Sequence, residues 1–140
     1  MKIIRGRAPE GASEHWSGTF TGEVWGDPVL PATDGVRINN VFFTPGARTH
    51  WHSHEQGQVL HVTAGAGYVC AEGGEPQRLE AGDTVWTPAG ELHWHGGAPD
   101  SFLLHTAVSL GPTDWRDPVT DEQYTAEGAD EGSGGAQERA

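Results

Sequence analysis

The feature that most constrains this chain is the alternation of histidines in residues 50–54, which read HWHSH. Successive side chains of a β-strand point to opposite faces, so the three histidines are predicted to project from one face. Gln58 follows four residues after the last of them, and a second cluster, HWH, occupies residues 93–95. Imidazoles on one face, joined by a carboxamide and a distant histidine, predict a site for a first-row transition metal.

Glycine and proline divide the rest of the chain into short apolar runs. The 21 glycines and nine prolines recur at the spacing that is typical of an all-β domain. The predicted strands cover residues 36–44, 58–64, 67–71, 84–87 and 102–110. A short helix is predicted at residues 120–125, because Thr120 is a suitable N-cap and Gln123 follows three residues later.

The length of 140 residues predicts one compact domain. We expect residues 1–12 to form a flexible N-terminal arm and residues 13–125 to form a single β-barrel domain. Residues 126–140 contain no large apolar side chain, and they are mostly glycine, alanine and polar or acidic residues. Such a tail buries too little surface to offset its ordering entropy, so it is predicted to be disordered.

The charge of the chain excludes two classes of partner. Eight lysines and arginines stand against twenty aspartates and glutamates, which gives a net charge of −12. Nucleic acid and anionic membrane surfaces both require basic patches, so neither is expected to bind. No apolar stretch reaches 18 residues, the N-terminus lacks the apolar core of a secretion signal, and Cys70 is the one cysteine. These features predict a cytoplasmic protein.

Two segments resemble the signature motifs of the cupin superfamily. Residues 46–65 follow the pattern G-x5-H-x-H-x3,4-E-x6-G, except that Gln58 stands where the family has glutamate. Residues 82–97 follow G-x5-P-x-G-x2-H-x3-N, with Gly97 at the closing asparagine. The resemblance extends over roughly residues 36–110. It implies an all-β fold, a small cupin barrel of the jelly-roll (double-stranded β-helix) type with a short C-terminal helix.

The same resemblance implies a ligand set for a divalent transition metal. Its members are His52, His54, Gln58 and His93. A neutral amide in place of a carboxylate leaves the ion with its full charge and makes it a stronger Lewis acid. Manganese is the expected ion, and Fe, Ni and Zn are the alternatives.

Residues 46–58, 90–96 and 114–124 are, in addition, similar to the cupin-type hydroxynitrile lyases, which are small manganese-dependent proteins. This resemblance implies reversible cleavage of a cyanohydrin to an aldehyde and HCN. Two other classes of function remain open. One is a metal-dependent cupin oxygenase that acts on a small organic substrate, and the other is a non-enzymatic cupin that binds a metal or ligand.

Strand phase selects two further histidines as candidate catalytic residues. His95 follows His93 by two residues and therefore shares its face. His105 shares a face with Ser109 on the last predicted strand, and it lies near the metal if that face lines the lumen. Either imidazole is a candidate general base or acid. No role is predicted for three other histidines, His15, His50 and His61.

A mostly apolar wall is predicted to hold a small-molecule substrate. The predicted pocket residues are Asn39, Val41, Phe43, Leu60, Val62, Leu103 and Ser109. The resemblance places Asn39, Val41 and Ser109 where residues shape the pocket of the lyases. Small cupins commonly associate through edge strands, which implies a homodimer or a homotetramer.

Overall fold

The computed structural model describes residues 1–126, which form short antiparallel β-strands and one helix, α1 (Asp121–Tyr124). The strands are β1 (Glu14–Trp16), β2 (Phe20–Thr21), β3 (Val24–Thr33), β4 (Val36–Phe43), β5 (Arg48–Thr49), β6 (His52–His54), β7 (Gln58–Ala71), β8 (Gln77–Glu80), β9 (Thr84–Thr87), β10 (His93–Gly97), β11 (Leu103–Leu110) and β12 (Thr113–Trp115). The predicted all-β class is confirmed, whereas the predicted tail, residues 126–140, lies outside the described residues apart from Ala126. In residues 1–126, no helix has both the length and the apolar character needed to cross a membrane.

Every strand pair is antiparallel, and the strands form a nearly closed barrel. The order along the main path is β1-β3-β4-β11-β7-β10-β5-β2. Off this path, β9 and β8 pair with β7, while β6 pairs with both β10 and β12. Strands distant in the chain are thus neighbours, and the two histidine clusters meet because β6 pairs with β10.

The longest strand, β7, belongs to both halves of the barrel. The sequence predicted two strands here, residues 58–64 and 67–71, but the structure has one strand of 14 residues. Its first part pairs with β11 and β9, and its second part pairs with β10 and β8. Gly65 lies between these parts with a φ of 79°, and a Cβ there would meet the carbonyl oxygen of Phe102 at 2.0 Å. Glycine therefore lets the chain pass between the sheets without ending the strand.

Two apolar clusters lie on different sides of the barrel wall. The first, here called the barrel core, lies inside the barrel and contains Val24, Val41, Phe43, Ala47, Leu60, Val62, Leu79, Leu103 and Ala107. The second, here called the helix-side cluster, lies outside the barrel and contains Tyr68, Cys70, Trp94, Val119 and Tyr124. Because β10 contributes Trp94 to one side and its histidines to the other, the strand separates the lumen from the helix-side cluster.

Helix α1 begins as the sequence predicts. The Thr120 hydroxyl accepts a hydrogen bond from the Gln123 backbone N–H, and the Gln123 carboxamide accepts one from the Thr120 N–H. This capping box satisfies two backbone donors that a helix of one turn would leave unpaired. The predicted short C-terminal helix is therefore confirmed.

Buried polar contacts hold α1 against the barrel. Arg48 is almost fully buried, and its guanidinium donates a hydrogen bond to Asp121 at 2.8 Å. The Tyr124 hydroxyl donates to the backbone oxygen of Gly97 at 2.5 Å, and the Arg48 guanidinium lies 4.6 Å from the centre of the Tyr124 ring. Helix α1 thereby covers the outer face of β10 and leaves the opposite side of the barrel open.

Candidate metal centre

Strand pairing brings the histidine-bearing segments together. His93 on β10 lies directly opposite His52 on β6. On the other side of β6, Trp115 lies opposite His52, and Thr113 lies opposite His54. Directly opposite residues in a sheet have Cβ atoms about 5 Å apart, so this register places the imidazoles within contact distance of one another.

Four imidazoles form a compact buried cluster that consists of His52, His54, His93 and His95. The ring centroids of His52 lie 4.2 Å from His93, 4.9 Å from His54 and 5.2 Å from His95. One ring nitrogen from each of His52, His93 and His95 lies within 4.8 Å of the others, which is a possible three-histidine metal site. This group shares His52 and His93 with the predicted ligand set and adds His95, for which the sequence predicted a catalytic role.

Backbone carbonyls orient two of these imidazoles. His52 Nδ1 lies 2.9 Å from the backbone oxygen of His50, and His93 Nδ1 lies 3.0 Å from that of Glu91. A carbonyl oxygen only accepts hydrogen bonds, so each Nδ1 carries a proton and donates it. Each Nε2 then keeps its lone pair, which is the arrangement of a metal-ligating histidine.

The contacts of Gln58 fit the same donor set. Its amide nitrogen donates to the Ser109 hydroxyl at 3.0 Å, and its Oε1 lies 3.1 Å from His93 Nε2. Because His93 carries its proton on Nδ1, Gln58 Oε1 and His93 Nε2 present lone pairs to each other. A cation bound to both atoms would stabilise this arrangement. Adjacent ligands of an ion with bonds of about 2.1 Å are roughly 3 Å apart. His54 Nε2 is also buried and has no hydrogen-bond partner in residues 1–126.

Burial keeps the imidazoles of the cluster neutral. Desolvation is the main cause that lowers the pKa of His54 to about 4, and the charges of His93 and Arg37 lower it further. The pKa values of His52 and His95 lie well below the ordinary value for the same main reason, with repulsion between the imidazoles as the second cause. Neutral imidazoles are the form that binds metal, so the cluster is ready to do so at pH 7 without losing protons.

The two candidate catalytic histidines form a pair. His105 Nε2 lies 3.0 Å from His95 Nδ1, while His95 Nε2 and His105 Nδ1 are buried without a hydrogen-bond partner among the described residues. His95 lines the cavity beside the cluster. His105 is 0% exposed, does not line the cavity, and packs 5.3 Å from the Phe43 ring. His105 therefore lies behind the cavity wall, in contact with His95 and Phe43, which line the cavity.

The cavity beside the cluster has a volume of about 730 Å³. Four of the predicted pocket residues line it, namely Asn39, Val41, Phe43 and Ser109. The other three, Leu60, Val62 and Leu103, belong to the barrel core and do not line the cavity. The inner face of β4 thus lines the cavity along most of its length, whereas β7 lines it only with Gln58, and β11 lines it with Ala107 and Ser109.

Three aromatic residues that the sequence analysis did not select complete the cavity wall. The Trp115 ring lies 4.6 Å from the His52 ring at an angle of 31°, and Phe20 lies 5.5 Å from Trp115. Trp16 follows at 5.4 Å from Phe20. These residues lie on β1, β2 and β12, which have three residues or fewer, so no alternation of apolar and polar residues marks them. The one available signal was the position of Trp115 inside the stretch 114–124.

Comparisons with known proteins agree with this architecture. Residues 40–102 match the family described as the Cupin domain. A curated (R)-mandelonitrile lyase from Granulicella tundricola is 46% identical over 111 residues, a match that covers 75% of this chain and 85% of the lyase. The structure of a cupin-like protein from Thermotoga maritima is similar with a TM-score of 0.76 at 39% identity, covering 91% of this chain and 99% of that protein. A predicted oxalate decarboxylase from the same organism, 23% identical, matches the fold with a TM-score of 0.68 over 79% of this chain and 100% of its own.

Proposed function

This chain belongs to the cupin family, and on that basis we propose that it is a metal-dependent lyase of the hydroxynitrile lyase type. Such an enzyme cleaves a cyanohydrin reversibly to an aldehyde and HCN. The observation that carries the proposal is the position of His95, which lines the cavity beside the cluster of neutral imidazoles and whose buried Nε2 has no hydrogen-bond partner within residues 1–126. The 46% identity to a protein named (R)-mandelonitrile lyase supports this choice of reaction.

The metal-holding residues in this proposal are His52, His54, Gln58 and His93, and manganese is the proposed ion, with Fe, Ni and Zn as alternatives. When bound, the ion supplies a Lewis acid that lowers the pKa of the substrate hydroxyl. The Ser109 hydroxyl holds the Gln58 carboxamide with its oxygen towards His93, and this supports Gln58 as a member of the set. All four donors are neutral, so they do not reduce the charge of the ion.

The proton of the substrate hydroxyl goes to His95 in this mechanism. When His95 Nδ1 donates a hydrogen bond to His105 Nε2, His95 Nε2 carries no proton, and its lone pair is available to the substrate hydroxyl. As His95 Nε2 takes the hydroxyl proton, the bond between the carbinol carbon and the nitrile carbon breaks, and its electron pair leaves with cyanide. The proton then passes from His95 to cyanide, which gives HCN and the aldehyde. His105 is a positioning residue that acts through His95.

The wall of the cavity suits an apolar substituent on the reacting carbon. Val41 and Phe43 close one side, and Phe20 and Trp115 close the side next to His52. A volume of about 730 Å³ is within the range of small-molecule sites. We therefore propose an aryl or alkyl cyanohydrin as the substrate of this site.

The proposal is tested by benzaldehyde release from mandelonitrile. Manganese-loaded protein and a chelated sample are compared at mildly acidic pH, where spontaneous decay of the cyanohydrin is slow. We expect release that depends on metal. His95→Ala should lower the rate of benzaldehyde release by about 100-fold or more while metal stays bound. His105→Ala should also lower this rate. The exposed His61→Ala is the matched control. No release from protein that holds stoichiometric metal would overturn the lyase proposal.

The neutral donor set also favours a second candidate, a cupin oxygenase. Three imidazoles and an amide oxygen accept Fe(II), the metal that such a reaction requires. Oxygen uptake by iron-loaded protein separates the two candidates, because cyanohydrin cleavage consumes no oxygen. If metal-loaded protein acts on no small hydroxy or carbonyl compound, a non-enzymatic metal-binding role becomes the better account.

We propose that the protein is a cytoplasmic homodimer or homotetramer. Two exposed aromatic side chains on the barrel surface, Trp25 and Phe102, support association, together with Phe42, which stacks on Phe102. The outermost strand, β1, also leaves one of its edges without a partner strand among the described residues. Sedimentation analysis of the full chain gives the oligomeric state directly, and a monomer at micromolar concentration would contradict the proposal.

A further inference from the structure

Arg37 places a positive charge on the cavity wall. It lies on β4 in phase with Val41 and Phe43, whose side chains are buried on the inner face, and it lines the same cavity. Arg37 pairs with Ser109 on β11, and Ser109 pairs with Gln58 on β7. Neighbouring strands are about 4.8 Å apart, so Arg37 lies roughly 10 Å from Gln58 along one row of the sheet.

Among the described arginines, Arg37 and Arg5 are the two that form no ion pair with a carboxylate, and of these two Arg37 lines the cavity. Four arginines form ion pairs, which are Arg7–Asp27, Arg48–Asp121, Arg78–Glu80 and Arg116–Asp114. Lys2 and Arg5 precede the first strand and do not line the cavity. In a chain with twenty acidic residues, Arg37 has neither an ion pair nor a hydrogen bond to any residue of the described range 1–126.

Two other polar side chains of the cavity wall, Glu14 and His15, have hydrogen-bond partners of their own. Glu14 accepts a hydrogen bond from the Trp16 indole N–H at 3.1 Å. His15 Nε2 lies 3.0 Å from a carboxylate oxygen of Glu23. Neither Glu14 nor Glu23 forms an ion pair with Arg37 in the described part of the chain.

We propose that Arg37 binds a carboxylate of the substrate, so that the natural substrate carries an anionic group distant from its reacting carbon. This proposal rests on the proposed function, which accounts for the reacting end of the substrate. Arg37 accounts for the other end. A guanidinium binds a carboxylate through two parallel hydrogen bonds, which fixes the position as well as the charge of the ligand.

A single carboxylate fits this wall better than a phosphate group does. One guanidinium balances one negative charge, whereas a phosphate dianion would leave an excess charge beside Glu14 in a chain whose net charge is −12. The length of a para-substituted aromatic ring with its two substituents suits the roughly 10 Å along the sheet row from Gln58 to Arg37. We therefore infer a carboxyaryl or similarly extended carboxyalkyl substrate class.

The test measures binding of two unreactive alcohols by isothermal titration calorimetry. The ligands are 4-(hydroxymethyl)benzoate and its neutral methyl ester, and the protein is the manganese-loaded full chain. We expect the acid to bind at least tenfold more tightly than the ester, which is about 1.4 kcal/mol, with a smaller difference at high salt. Arg37→Gln should reduce this ratio to about one, and Arg37→Lys should restore part of it. Arg78→Gln on β8, outside the cavity, is the matched control and should keep the ratio.

Equal affinities for the acid and the ester in the natural protein would overturn the proposal, and so would a ratio that survives Arg37→Gln. Because the alcohols do not react, the measurement is independent of cyanohydrin cleavage. A preference for the acid that depends on Arg37, without cleavage of mandelonitrile, would support the anion site and reject the lyase. Cleavage of mandelonitrile without this preference would support the lyase and reject the anion site.

Discussion

The two faces of β10 carry buried polar groups with different surroundings. On the outer face, the Tyr124 hydroxyl donates to Gly97, and the Arg48 guanidinium donates to Asp121. On the inner face, His95 Nε2 and, on the neighbouring strand, His54 Nε2 have no hydrogen-bond partner among the described residues, and both histidines line the cavity. On the outer face, Trp94 Nε1 is also buried without such a partner, but Trp94 packs in the helix-side cluster and does not line the cavity. The comparison teaches that buried, unpaired polar atoms indicate a ligand site where they gather beside a cavity.

The largest expected effect is the loss of metal after a change on the inner face. His52→Ala removes an imidazole from the centre of the cluster, and we expect the affinity for manganese to fall by more than about 100-fold. Tyr124→Phe on the outer face should retain stoichiometric metal. Metal content after dialysis, measured by mass spectrometry, compares the two variants. Full retention of metal by His52→Ala would show that the two faces do not differ in the proposed way.

A second and smaller expected effect is a pH dependence of the free energy of unfolding, caused by the buried imidazole of His105. Burial lowers the pKa of His105 to about 4, whereas an unfolded imidazole titrates near 6.5. Below pH 6.5 the unfolded chain binds more protons than the folded chain, so the free energy of unfolding falls as the pH falls towards 4. For His105 alone, the loss between pH 7 and pH 5 is about 2 kcal/mol. Above pH 6.5 both states are neutral, and this group adds no pH dependence.

Urea unfolding of metal-free protein at pH 7 and pH 5 measures this loss. His105→Leu should remove about 2 kcal/mol of the difference, because the variant has no imidazole to protonate at that position. Tyr124→Phe serves as the outer-face control and should show the same pH dependence as the natural protein. An unchanged pH dependence in His105→Leu would mean that this imidazole binds its proton equally in the folded and unfolded chains.

Much of this contrast was predictable from the sequence, because the period of a strand determines which face a side chain occupies. Alternation and the motif positions placed His52, His54 and His93 on one side and Trp94 on the other. The period does not determine which strands border the cavity. Leu60, Val62 and Leu103 have the expected phase but lie in the barrel core without lining the cavity, whereas the β4 residues in the same sheet rows, Asn39, Val41 and Phe43, do line it.

A related physical cause explains why the sequence analysis missed part of the cavity wall. Trp16, Phe20 and Trp115 lie on strands of two or three residues. So short a strand has no period to detect, and only its tertiary partners hold it in place. The pairing of His105 with His95 was equally hidden, since it depends on how far β10 and β11 are separated across the lumen. The local sequence pattern therefore predicts which face of a strand a residue occupies, whereas contacts between strands that are distant in the sequence determine its role.

The smallest expected effect lies on the outer face and concerns stability alone. Tyr124→Phe removes the hydrogen bond to Gly97 and leaves a buried carbonyl oxygen with one partner fewer, so we expect the free energy of unfolding to fall by about 1 kcal/mol. Metal affinity and the rate of cyanohydrin cleavage should not change, because Tyr124 touches neither the imidazole cluster nor the cavity. Urea unfolding, metal titration and the mandelonitrile assay on one preparation measure all three quantities. A change in metal affinity would show that β10 couples its two faces, and the separation between structural and functional sides would then fail.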